Sequence, residues 1–199
     1  MTGSPNYAAL APRPPEGDLD LHQLFATSGE IEIDVGFGRG RSLLERARAH
    51  PELRLLGIET KVKWAHRVAE ECRSSALNHV RVFAADAKAL FERLSPPGSV
   101  RRIFVHFPDP WWKKKHEKRL LVDDVFAERS ARLLGPAGEL FVQSDVEMRA
   151  MAYHEVLSRH PAFASVRFID TNPYAGGSNR EVRAAQDGLP VWRLLAIRR

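Results

Sequence analysis

The sequence predicts an α/β fold with one doubly wound, mostly parallel sheet. Short apolar runs alternate with helical stretches along most of the chain, and a glycine-rich turn follows the first run. At 199 residues the chain suits one domain with a full core. Glu30–Val35 reads as the first strand, and Gly36-Phe37-Gly38-Arg39-Gly40 as the turn after it. Residues 41–50 follow as a helix with Leu43, Leu44 and Ala47 on one face, ended by Pro51. Further strands are read at 53–58, 80–84, 100–107, 139–144, 163–169 and 191–197. Helices are read at 61–75, 87–94, 121–134 and 147–159, with Gly135-Pro136 closing the third of these. The connection 170–190 reads as long and non-helical, so one of the last two strands is expected to be antiparallel. Residues 1–20 are rich in proline with few apolar residues in series, and are expected to form a loose arm on a domain of residues 21–199.

Composition narrows the function classes. The chain is 44% hydrophobic and 28% charged, as expected of a soluble globular protein. It holds no apolar run near the ~20 residues a membrane span needs, and no secretory signal is read at its start. Cys72 is the only cysteine, which excludes an internal disulfide and a cysteine-based zinc cluster. A cytoplasmic protein without a metal site is expected. The net charge of +5 suits an anionic partner. Residues 111–119 gather five cations and two tryptophans, a pairing of phosphate attraction with base stacking that suits RNA. A solvated helix start with buried tryptophans is the plainer reading of the same stretch.

In a doubly wound fold, ligands bind where the strands end and the winding reverses. The glycine turn at 36–40 stands there, but Arg41 occupies the slot where the dinucleotide fingerprint has its third glycine. The tighter spacing suits a ligand without a pyrophosphate, such as S-adenosylmethionine. Three carboxylates extend the pattern. Asp34 lies among apolar neighbours, where burial is costly unless a cation such as the cofactor's ammonium pairs with it. Glu59 ends the second strand, where an acid can accept from ribose hydroxyls. Asp86 follows the third strand, where an acid can accept from an adenine amino group. Any one of them could be an ordinary loop carboxylate; three at successive strand ends point to a nucleotide-type cofactor.

After the fourth strand comes His106-Phe107-Pro108-Asp109-Pro110-Trp111, whose two prolines hold one acid rigidly. The stretch from Phe107 through Lys113 to Arg119-Leu120 resembles the signature of the bacterial tRNA (guanine-N7)-methyltransferases. Ile33-Asp-Val-Gly-Phe-Gly-Arg-Gly40 and Gly57-Ile-Glu59 resemble it too, so that the likeness runs from about Glu30 to Met148. The resemblance implies S-adenosylmethionine as cofactor and methylation of a guanine N7 in the tRNA variable loop. It puts Asp34, Glu59, Asp86 and Asp109 at cofactor-binding positions. Lys113 and Asp145 fall at tRNA-contacting positions. Where the family usually has glutamate, this chain has Asp34. Ser178-Asn179-Arg180-Glu181 matches the family's Thr-x-x-Glu substrate motif in unusual surroundings. A monomer without an obligatory protein partner is implied as well.

Guanine N7 carries a lone pair and no proton, so its methylation needs placement but no general base. Asp109 and Asp145, at adjacent strand ends, are the candidates to hold the base and stabilise its developing positive charge. Asp145 also suits a helix N-cap, with Ser144 competing. A nicotinamide-dependent oxidoreductase, a methyltransferase for another target and an RNA-binding relative without catalysis are the rival readings.

Overall fold

The computed structural model describes residues 5–108, 120–174 and 176–199. Its strands in chain order are β1 (Leu19–Asp20), β2 (Ile31–Val35), β3 (Arg54–Glu59), β4 (Val80–Ala84), β5 (Leu94–Ser95), β6 (Val100–His106), β7 (Leu134–Ser144), β8 (Phe163–Ile169) and β9 (Trp192–Arg198). The helices are α1 (Tyr7–Leu10), α2 (Arg41–Ala49), α3 (Val62–Ser74), α4 (Ala87–Arg93), α5 (Asp124–Leu133), α6 (Glu147–Arg159) and α7 (Asn179–Gln186).

Seven strands form one sheet in the order β4-β3-β2-β6-β7-β9-β8, with β9 antiparallel to both its neighbours and the other pairs parallel. The order reverses at β2, whose partners are β3 and β6, and that reversal leaves a crevice at the strand ends. The expected antiparallel strand is therefore the last one, inserted between β7 and β8.

The pleat sorts the side chains of β2 to two faces. Ile31, Ile33 and Val35 join a core under α4, α5 and α6, where Phe91 and Phe126 stack at 5.5 Å between ring centres. Leu55 and Val82 face the other way, against Phe37, Leu43, Leu44 and Val68 beneath α2 and α3. Glu32 and Asp34 alternate with the apolar residues of β2 and are buried as well.

The larger differences from the sequence reading fall in three segments. The connection 170–190 contains α7, whose single buried residue is Ala184. This helix is started by its cap, the Ser178 hydroxyl accepting from the Glu181 amide at 3.1 Å, and it lacks the apolar stripe that periodicity detects. Strand β7 begins at Leu134, inside the stretch read as a helix end; Ala137 there has φ 55° and the register against β6 shifts. Residues 5–20 lie against the body. The Pro12 carbonyl accepts from the Ala84 amide at 2.7 Å, Arg13 donates to the Ala84 carbonyl at 3.1 Å, and β1 pairs with β5. Backbone hydrogen bonds of this kind leave no trace in an apolar pattern.

Gly40 caps α2 in the left-handed region, at φ 80°, and a Cβ there would stand 2.5 Å from Val68 Cγ2. Val68 is a β-branched residue packed within α3, with little freedom to yield. Gly40→Ala is therefore expected to lose about 1–3 kcal/mol of stability, through strain and overpacking together. A urea titration measures it, and a loss under ~0.5 kcal/mol would show that the contact relaxes freely.

Candidate active site

A cavity of about 620 Å³ opens at the C-terminal ends of β2, β3, β4 and β6, lined by Gly36, Gly38, Glu59, Trp64, Asp86 and His106 among others. The volume lies within the ~300–1,000 Å³ usual for small-molecule sites. The glycine turn forms one wall. Gly36, Gly38 and Gly40 all have positive φ, and a Cβ at Gly36 or Gly38 would meet nothing within 4 Å. Those two glycines leave the backbone accessible to a ligand, whereas Gly40 serves the packing of α2.

Glu59, buried at the tip of β3, holds the turn in place. One carboxylate oxygen accepts from the Gly38 amide at 2.9 Å, and the other from the Lys61 amide at 2.8 Å and the Thr60 hydroxyl at 3.2 Å. Asp86 follows β4 and caps α4, accepting from the Ala89 amide at 2.9 Å through Oδ1. It is thus an ordinary helix cap as well as part of the cavity lining.

Asp34 is 4% exposed, and its Oδ1 has no hydrogen-bond partner among the described residues. Burial raises its pKa to about 6; His106 opposes the rise, and Glu59 and Glu32 add to it. A buried carboxylate with an unanswered oxygen, one residue before the cavity wall at Val35, fits a cationic ligand group. The folded-state pKa lies above the unfolded value near 3.8, so the associated stability is present below pH ~4 and is lost as pH rises through about 6. The ligand-free protein is expected to lose roughly 3 kcal/mol from this group across that window. Asp34→Asn should remove that slope from a plot of unfolding free energy against pH, and an unchanged slope would assign it to other groups.

His106 lines the cavity, and its ring is committed. Gln143 donates from Nε2 to a Glu181 carboxylate oxygen at 2.7 Å, which leaves its Oε1 to accept from His106 Nδ1 at 2.7 Å. His106 Nε2 then faces the Ser42 hydroxyl at 3.1 Å. The histidine is a fixed part of the wall, with both ring nitrogens occupied.

The remaining expected site residues fall in three places. Asp145, just past β7, is paired with Arg180 of α7 and does not cap α6, whose N-cap Val146 has no side-chain cap. Ser144 bonds back to Val146 instead. Ser178 caps α7, and Glu181 bonds Gln143, Arg193 and Asn172. Asp109 and Lys113 lie outside the described residues. Among the described residues no cluster of three or more metal-ligating side chains is found, and no helix is long and apolar enough to cross a membrane.

The sequence reading missed the network that anchors the segment before α7. Glu32, 1% exposed, accepts from Arg46 and, at 2.8 Å, from Arg102, which in turn donates to Glu139 at 2.5 Å. The Tyr174 hydroxyl donates to the same Glu139 oxygen at 3.1 Å, and its ring meets both Phe104 and Phe141 edge-on. Burial, reinforced by Glu139, pushes the Tyr174 phenol well above its ordinary pKa, which keeps it a donor. A glutamate inside the apolar Ile31–Val35 was the one available signal that a buried cation must answer it.

The reversal of strand order at β2, with a glycine turn and acids at the strand ends beside it, defines a doubly wound α/β protein with a ligand crevice. Solved structures agree on the fold: a SAM-dependent O-methyltransferase from Thermotoga maritima superposes with a TM-score of 0.60 at 15% identity, over 86% of this chain and 60% of that one. The family model described as "Putative methyltransferase" matches residues 28–193. A tRNA (guanine-N(7)-)-methyltransferase of Myxococcus xanthus is 33% identical over 90% of this chain and 87% of its own length. One from Anaeromyxobacter dehalogenans is 39% identical, over 85% of this chain and 86% of its own. The chain belongs to the tRNA (guanine-N7)-methyltransferase family.

Proposed function

We propose that the protein methylates N7 of a guanine in the tRNA variable loop, using S-adenosylmethionine. The observation that carries this reading is the buried Asp34 Oδ1, which has no hydrogen-bond partner among the described residues, close to an accessible glycine turn in a chain whose relatives bear that name over most of their length. When bound, the cofactor supplies an electrophilic methyl group on a sulfonium. Asp34 accepts the ammonium end of that ligand, Glu59 the ribose hydroxyls and Asp86 the adenine amino group. Asp86 keeps Oδ2 for this, since Oδ1 caps α4. The Gly36 and Gly38 backbone gives the ligand room, and Gly40 sets the start of α2.

Guanine N7 has no proton to lose, and the wall accords with a reaction that needs no base. His106 keeps both ring nitrogens bonded to Ser42 and Gln143. The chain's contribution is placement, which supplies ~7–11 kcal/mol in well-oriented reactions. We assign Asp109 the catalytic role of holding the base and countering its growing positive charge, with a part in cofactor binding, and Asp145 a supporting role. Lys113 grips phosphate. Ser178 and Glu181 set the substrate segment, Glu181 through its bonds to Gln143 and Arg193. The protein acts in the cytoplasm as a monomer on tRNA, with no metal.

The test is incubation of the purified protein with methyl-labelled S-adenosylmethionine and unmodified tRNA transcripts, followed by digestion and mass spectrometry. Label in 7-methylguanosine of the variable loop is the expected result. Label in a different nucleoside would retain the methyltransferase and discard the target. Cofactor binding without transfer to any RNA would make the protein an RNA-binding relative.

A further inference from the structure

We propose that a second cleft, between the glycine turn and α7, binds backbone phosphates of the RNA substrate; the proposal rests on the tRNA reading above. The cleft has a volume of about 400 Å³ and is lined by Arg39, Arg41, Asn179, Arg180, Arg183 and Gln186, with Val182. Four guanidinium groups meet there from two segments some 140 residues apart in sequence.

The charge in this cleft is only half answered. Arg41 pairs with Glu45 at 2.7 Å, and Arg180 with Asp145. Arg39 and Arg183 have no carboxylate partner among the described residues, and both are exposed. Gathering like charges in one concavity costs repulsion that an anion removes. Guanidinium is the group suited to phosphate, since its planar fork presents two parallel donors to two oxygens. Asn179 and Gln186 add neutral amides able to donate to the same oxygens.

Arg39 is also held in place. Its guanidinium carbon stands 5.2 Å from the centre of the Trp64 ring, so part of the entropy of fixing it is already spent. Trp64 lines the cofactor cavity, so the Arg39–Trp64 contact links the two hollows. A strand of RNA crossing from one to the other would leave its phosphates on the arginines while a base turns toward the cavity. The Asp145–Arg180 pair then gains a purpose: it sets α7 against the end of β7 and so fixes the far wall of the cleft.

The experiment is tRNA binding by the full chain carrying both Arg39→Gln and Arg183→Gln, across about 50–200 mM salt. The slope of log affinity against log salt is expected to become shallower by about 1.4–1.8, the loss of two phosphate contacts, with affinity roughly tenfold weaker near 0.1 M. S-adenosylmethionine affinity of the single Arg183→Gln variant should stay within about twofold of the unsubstituted protein, which also reports that the fold is intact. The double lysine variant should recover the salt slope, because it keeps the charge while losing the fork. Wild-type affinity and slope in the double glutamine variant would overturn the cleft assignment alone. Absence of methyl transfer to tRNA by the unsubstituted protein would overturn the functional reading instead, and it is read in a separate assay.

Discussion

Glu32→Gln is expected to destabilise the protein by about 3–5 kcal/mol, the largest single stability effect anticipated here. Glu32 is 1% exposed and Arg46 is 7% exposed, and Glu32 is the only carboxylate paired with Arg46 among the described residues. Removing the charge of one partner leaves the other buried and uncompensated, where desolvation dominates. Arg102 suffers less, because it keeps Glu139 at 2.5 Å. The damage should spread to the segment before α7. Tyr174 stands over the guanidinium groups of Arg46 and Arg102, each 5.7 Å from its ring centre. Loosening them is expected to raise protease cleavage around residues 170–178. Urea unfolding followed by limited proteolysis measures both effects. A loss under ~1 kcal/mol would mean that Arg46 finds water or another acceptor when Glu32 is neutral.

Glu59→Ala is expected to weaken S-adenosylmethionine binding by about 100-fold, through two losses. The variant gives up the acceptor proposed for the ribose hydroxyls, and it releases the Gly38 and Lys61 amides that the carboxylate holds at 2.9 and 2.8 Å. Hydrogen bonds to a charged acceptor contribute about 1.5–3 kcal/mol each, and a factor of 100 corresponds to ~2.7 kcal/mol. Glu59→Gln separates the two losses. Its amide oxygen still accepts from the turn but lacks the charge, so an intermediate loss of about tenfold is expected. Calorimetric titration reads both variants. Affinity within twofold of the parent for the alanine variant would remove Glu59 from the cofactor site.

The sheet was legible because strand and helix periods differ and alternate along the chain. Helix α6 matches its sequence reading at both ends, and β4 does so too. The glycine turn and the acids at 34, 59 and 86 were legible for a related reason: in a doubly wound fold, strand ends are where a polar residue carries information. Less could be read where order depends on distant partners. Nothing in Tyr174-Ala-Gly-Gly says that its ring will stand over Arg46 and Arg102, or that Glu139 will accept its hydroxyl.

The amino-acid sequence by itself determined the α/β class, the place of the glycine turn and the family, because these rest on local periodicity and on contiguous motifs. Only the tertiary structure decided that α7 exists, that residues 5–20 lie on the body, and that Asp145 faces Arg180. It also decided that Asp34 is buried with an unanswered oxygen while Glu32, two residues earlier on the same face, is fully paired. For the charged residues among these the physical reason is the same. A buried charge is defined by what surrounds it in space, and its partners here come from residues up to 70 positions away, as Arg102 does for Glu32.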